Sequence, residues 1–187
     1  MVARVLIIGG YGNFGSYIAR ARLLKPRLLI VDEPVSMVDA SLRATILETL
    51  CNLQRDQGAS NIYITHDLTT AYHIAKSIIV LYRGAVVEAG SIDMIIREPR
   101  HPNTALLVES IPWPNLDRRW RAQPIKAQEA GGSQSGCQFR TRCPMTMEIC
   151  AAEPPLFRLD ANHTAACFLD DAQPPIALEQ LSELLPA

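Results

Sequence analysis

The sequence predicts an α/β fold, a mostly parallel sheet with flanking helices, followed by a small cysteine-containing C-terminal extension. Three observations lead there. The aliphatic run Leu28–Val31 ends in Asp32-Glu33-Pro34, and an unbroken apolar run reads as a strand buried on both faces. Apolar strand-length runs then alternate with helical periodicity through residues 18–111, the pattern of parallel strands joined by crossover helices. From residue 112 the composition shifts to Pro, Gly, Ser and Gln, ahead of a segment holding four of the five cysteines.

Composition narrows the function. With 187 residues, 48 % of them hydrophobic, and net charge −1, the chain suits a soluble domain with an appendage. It has neither the basic excess nor the clustered aromatics of a nucleic-acid partner. No apolar run approaches the roughly 20 residues that span a bilayer. The stretch Met1–Gly15 lacks the h-region and cleavage site of a signal peptide. A cytoplasmic protein is expected, and cysteines in that compartment serve as metal ligands or free thiols.

Taken in order, residues 2–8 read as a buried strand, followed by a glycine loop and a helix over 16–24. In that context Gly10, Gly12 and Gly15 form GxGxxG, whose glycines let backbone approach a pyrophosphate at a helix N-terminus. Asp32, 17 residues beyond Gly15, lies near the place of a ribose-binding acid. The same loop scans as GxxxxG but continues with Ser16 where a phosphate-cradling P-loop requires Lys. The strand at residues 28–31 is expected beside 2–8, through a right-handed crossover.

Asp32 and Glu33 stand at that strand's C-terminal end, where open α/β sheets bind ligands. Such a pair can hold a divalent cation and poise a water, as nucleotide hydrolysis requires. The plain alternative is two solvated surface acids. Asp39 is placed to cap a helix over 40–57, with Leu42, Ile46, Leu50 and Leu53 on its apolar stripe and Gly58 at its end. Cys51 reads as a packed thiol of that helix. A strand at 61–65 ends in His66-Asp67, and a helix over 68–76 follows. Strands at 78–82 and 86–88 flank an Arg83-Gly84 turn, and short helices near 92–97 and 103–110 lie between prolines.

Cys137, Cys143, Cys150 and Cys167 are spaced C-x5-C-x6-C-x16-C. Four thiolates suit zinc or an iron–sulfur cluster, and the spacing does not specify which. His163 reads as a surface residue able to substitute as a ligand. The tail after Phe168 is proline-rich and then helical near 176–185.

Several stretches resemble one family. ARARLLKPRLLIVDEPVSMVDASLRATILETL, NIYITHDLTTAYHIAKSIIVLYRGAVVEAG and EPRHPNTALLVESIP are similar to the second half of an ABC-transporter nucleotide-binding subunit, of the bacterial oligopeptide/dipeptide importer group. GCQFRTRCPMTMEIC and HTAAC resemble that group's C-terminal extension. Residues 1–17 instead resemble the N-terminus of a saccharopine-dehydrogenase-like Rossmann protein. The chain thus divides into 1–17, an ABC ATPase portion at 18–111, a linker at 112–136, a four-cysteine module at 137–168 and a tail at 169–187.

The resemblance implies ATP and Mg²⁺ as cofactors, with Leu28–Glu33 as the Walker B strand. Asp32 would organise Mg²⁺ and Glu33 would activate the attacking water. Ser36–Asp39 would form the D-loop, which in the family lies across a dimer interface, and His66 would be the switch histidine that contacts the γ-phosphate. A [4Fe–4S] cluster or zinc would sit at the four cysteines. The implied partners are a second nucleotide-binding subunit and membrane permease subunits, with the peptide met only indirectly and no nucleic acid, on the inner face of the cell membrane. The family's lysine loop, Q-loop and signature motif, which precede Walker B, are missing from this sequence, so a truncated subunit with negligible ATP hydrolysis of its own is expected. Two other readings stay open: a small NAD(P)-binding Rossmann-type protein using Gly10, Gly12 and Gly15, and a non-catalytic, metal-stabilised interaction module.

Overall fold

A computed structural model of the chain describes residues 5–8, 21, 23–36, 38–111 and 135–185. They form two compact units, Met1–Ala75 and Lys76–Ala187. The mixed α/β character is as expected. The strand arrangement is not.

The first unit holds β1 (Val5–Ile8), β2 (Leu28–Asp32), the helix α1 (Ala40–Gln57), β3 (Ser60–Ile64) and the helix α2 (Leu68–Ile74). Its sheet is parallel, in the order β1-β2-β3, with Ile7 level with Ile30 and Ile30 level with Ile62. The expected pairing of the first strand beside residues 28–31 is therefore present. Helix α1 begins where Asp39 Oδ1 accepts the Leu42 N–H at 2.9 Å, and ends where the Gly58 N–H bonds to Gln54 O. Both termini are those read from the sequence. Its buried face comprises Ile46, Leu47, Leu50 and Leu53, packed with Leu29, Val31 and Ala21 in one cluster. Leu42, expected on that stripe, is 47 % exposed.

Strand β2 is covered on one face only, contrary to its unbroken apolar reading. Leu29 and Val31 are buried while Leu28 and Ile30 are half-buried, and across the ladder Ile62 and Ile64 are 48 % and 49 % exposed. A right-handed crossover from β2 to β3 delivers its helix to one face of the sheet. Among the described residues of this unit, that face receives α1.

The second unit contains β4 (Ser77–Tyr82), β5 (Ala85–Ser91), α3 (Ile92–Arg97), α4 (Pro102–Glu109), β6 (Leu156–Asp160), β7 (His163–Ala165), β8 (Pro175–Ile176) and α5 (Leu181–Leu184). Here the expectation of a mostly parallel sheet is corrected. The larger sheet has five strands in the order β4-β5-β7-β6-β8, and its pairs are antiparallel. The local cause is the connection between β4 and β5. Arg83 and Gly84 have φ of 51° and 82°, the left-handed pair of a two-residue hairpin turn, which returns the chain antiparallel. A crossover long enough for a parallel return is absent.

The cysteine-bearing segment shares this sheet, since Ala165, Thr164 and His163 of β7 stand opposite Glu88, Ala89 and Gly90 of β5. Gly90 permits the approach: a Cβ there would lie 2.5 Å from Asn162 O. One core joins Val80, Val87 and Ile95. Another joins Ala89 to Leu181 and Leu184 of the tail. Most of 112–136 and the glycines at 10, 12 and 15 lie outside the described residues.

Candidate functional site

In the first unit the ends of β2 and β3 bring two sequence-predicted residues together. Glu33 follows β2 with φ of 46°, a left-handed conformation uncommon outside glycine. Its N–H donates to Ile64 O at 2.9 Å, and its carbonyl accepts from Ser36 Oγ at 3.0 Å. Backbone on both sides thus fixes where the carboxylate stands. Glu33 Oε1 accepts the His66 backbone N–H at 3.0 Å and lies 2.6 Å from His66 Nδ1. With the carboxylate ionised, Nδ1 is the protonated nitrogen and donates.

Beside His66, Asp67 caps α2 through Oδ1, which accepts from the Thr69 N–H at 2.9 Å, while Oδ2 lies 3.6 Å from Arg43 Nη1. Glu33, Val35, Ser36, Arg43, Thr65, His66 and Asp67 line a cavity of about 90 Å³. Asp32 is exposed at the end of β2 and stands outside that wall. Asp39 is also outside it, capping α1. Bonds from the Ser41 hydroxyl and the Leu42 N–H hold the Asp39 carboxyl below its usual value. Arg43 and Asp67 escaped the sequence reading. Arg43 lies four residues beyond the cap Asp39, one helical turn into α1, and that spacing was the available signal.

The second unit gathers a different set. Cys137, Cys143, Cys150 and Cys167 line one cavity with His101 and Phe139, and its free space is about 10 Å³, the room of a single water. All five cysteines of the chain are free. Burial pushes up the thiols of Cys137, Cys143 and Cys167, the last to about 11, so they stay neutral at physiological pH. Among the described residues no three His, Cys, Asp or Glu side chains stand in an arrangement that could hold a metal ion. The four cysteines line one cavity, but the closed thiolate cage that their spacing suggested is not formed among the described residues.

Around this cavity lies a buried polar network that the sequence reading missed. Glu88 is 0 % exposed and His163 2 %, which corrects the expectation of a surface histidine. His163 Nε2 lies 2.7 Å from Glu88 Oε1. The same carboxylate accepts the backbone N–H groups of Arg100 and His101, each at 2.9 Å. His101 in turn caps α4, its Nδ1 accepting the Asn103 N–H at 3.1 Å. Its ring meets Phe139 edge to face at 5.7 Å between centroids. Arg100 Nη2 pairs with Asp170 Oδ1. The signal for His163 was hard to find, because its partner is 75 residues away.

Residues 87–150 match the family model described as the oligopeptide/dipeptide transporter C-terminal region. The chain is 39 % identical over 158 residues to the oligopeptide transport ATP-binding protein OppF of Salmonella typhimurium, covering 82 % of this chain and 47 % of that protein. Its Escherichia coli counterpart is 38 % identical with the same coverage. A probable peptide ABC transporter ATP-binding protein of Sinorhizobium fredii is 39 % identical over 153 residues, 80 % of this chain and 43 % of its own length. The chain spans about half the length of the curated relatives it matches.

Proposed function

We propose that this chain, part of which matches the oligopeptide/dipeptide transporter C-terminal region, is the C-terminal portion of an ATP-binding subunit and contributes to the energy-coupling ATPase of a peptide importer. The observation that carries the reading is the meeting of Glu33 with His66 at the C-terminal edge of a parallel sheet, 2.6 Å apart on the wall of one cavity. Glu33 orients the attacking water. His66, anchored through Nδ1, keeps its other ring nitrogen for the terminal phosphate. Asp32, exposed at the end of β2, would hold Mg²⁺ as one carboxylate among waters and phosphate oxygens, a coordination typical of that ion. Mg²⁺ supplies neutralisation of charge on the transferring phosphoryl group.

The partners in this reading are a second nucleotide-binding subunit and a membrane permease, at the inner face of the cell membrane. Among the described residues no helix is long and apolar enough to cross a membrane.

Phosphoryl transfer depends on donors that cradle the triphosphate, each worth on the order of 10²- to 10³-fold. Residues 1–187 contain no lysine loop to supply them, so this stretch by itself is expected to bind Mg·ATP weakly and to release phosphate no faster than its Glu33→Gln variant. Calorimetric titration with Mg·ATP and with NADPH, beside a phosphate-release assay, tests this. Binding of NADPH without Mg·ATP would instead favour the dinucleotide reading through Gly10, Gly12 and Gly15.

A second reading concerns the cysteines. Their convergence on one cavity supports a soft-metal site, zinc or [4Fe–4S], that closes when a cation draws the thiolates together. Elemental analysis and visible absorbance of anaerobically purified protein separate the two metals, and a metal-free product argues against both.

A further inference from the structure

Nothing in the structure shows what covers the half-exposed face of β2 and β3. Arg43, beside Asp67, lines the cavity already assigned to the proposed ATPase site and adds nothing beyond it. The buried carboxylate in β5 goes further.

We infer that Glu88 is a positioning residue for the four-cysteine cavity, acting through Arg100 and His101 as a two-armed brace. The inference rests on reading the four cysteines as one ligand-holding set. Glu88 is fully buried and receives the consecutive N–H groups of Arg100 and His101. That fixes the backbone from which two side chains diverge. The His101 ring goes to Phe139, and Phe139 O accepts the Cys143 N–H at 3.0 Å. Phe139 is 1 % exposed and is held on another side by Tyr82, 5.2 Å between centroids. This arm therefore sets the loop that carries Cys137 and Cys143.

The Arg100 guanidinium goes to Asp170, whose N–H donates to Cys167 O at 3.1 Å. The second arm sets the segment that carries Cys167. Glu88 reaches the same segment by another route, since His163 precedes Cys167 by four residues and bonds to the carboxylate directly. Cys150 is tied in by the Cys137 N–H, which donates to its carbonyl at 3.0 Å. Four thiols distant in sequence are thus referred to one carboxylate. Such outer groups orient metal ligands in general and alter affinity by roughly ten- to a hundredfold when removed.

The test is cysteine-resolved alkylation of the full chain by iodoacetamide, read by mass spectrometry, with Cys51 of α1 as internal reference. Arg100→Ala removes a charged hydrogen bond and should ease local opening, speeding labelling of Cys167 about tenfold or more with little change at Cys137 and Cys143. His101→Leu should give the converse pattern, and Glu88→Gln should release all four while Cys51 keeps its rate. Unchanged rates in all three variants would overturn the inference, as would equal acceleration at every cavity cysteine in each of them. If Glu88→Gln does not fold, the two arm variants carry the test alone. A parallel zinc titration keeps the readings apart: the arm-specific pattern without stoichiometric zinc sinks the zinc reading and leaves the brace intact.

Discussion

Each unit places one helix-capping side chain on the wall of its cavity, and the two differ in their exposure to water. In the first unit it is Asp67, whose side chain is 32 % exposed and which caps α2. In the second it is His101, 1 % exposed, which caps α4. The neighbouring carboxylates differ in the same way. Glu33, with a side chain 30 % exposed, meets a histidine side chain 80 % exposed, whereas Glu88 and His163 are both enclosed. A contact near water can be made and broken at small cost, as a site that must respond to a ligand requires. A contact sealed in the core cannot, because each polar group left behind is unsatisfied. The carboxylate–histidine contact beside the first cavity can be remade at small cost, and the one behind the second cannot.

The largest expected effect separates the two carboxylates. Glu88→Leu removes the acceptor of two buried N–H groups and the partner of a buried histidine, and should destabilise the second unit by about 3–5 kcal/mol. Glu33→Gln, at a half-exposed pair, should cost the first unit less than about 1 kcal/mol. Region-resolved hydrogen exchange reads both, through amides of β5 and β7 in one case and β2 and β3 in the other. Comparable losses in the two units would break the contrast.

Acid should act on the units in different windows. Burial holds His101 down at about 4, against an ordinary value of 6.5. Between those two values the unfolded chain takes a proton that the native chain refuses. Stability of the second unit therefore falls as pH drops from about 6.5 through 4, by about 3 kcal/mol in total. Protonation would also turn Nδ1 from acceptor into donor and remove the α4 cap. In the first unit Asp39 has a lowered value, so its contribution is complete above the usual carboxylate range and is lost only below it. Exchange profiles at pH 7 and 4.5 should show the second unit weakened selectively. His101→Asn, which keeps a capping oxygen, should flatten that dependence, and an unaltered slope in this variant would assign the effect elsewhere.

These contrasts show what was legible in the residues. Asp39, Gly58 and the apolar run Leu28–Val31 declare a cap, a stop and a strand within a few positions, and all three stand in the structure. Glu33 and His66 each end a strand, so a parallel reading of β2 and β3 sufficed to bring them together. The five-stranded sheet was less legible. Its strands β4 and β5 look apolar like the others, and only the left-handed Arg83-Gly84 turn reverses them. The burial of His163 depends on Glu88, 75 residues away, and no local periodicity carries that information. The four cysteines were identifiable as a set from spacing, whereas the brace at Arg100 and His101 required the fold.

The smallest effect tests whether the Asp67 cap and its ion pair are separable. Asn is as good an N-cap as Asp, so Asp67→Asn should leave α2 nearly as stable while removing the charge that faces Arg43 at 3.6 Å. A pair this long, with side chains 38 % and 32 % exposed, contributes at most a few tenths of a kcal/mol and is screened by salt. Asp67→Ala also removes the acceptor of the Thr69 and Thr70 N–H groups, and should cost about 1 kcal/mol. Exchange at the first-turn amides of α2 measures the difference. If Asn proved as damaging as Ala, the ion pair rather than the cap would be what holds α2, and the exposed corner would depend on charge more than its geometry implies. If both were silent, His66 would owe its place to Glu33 alone, through the two bonds that converge on Oε1.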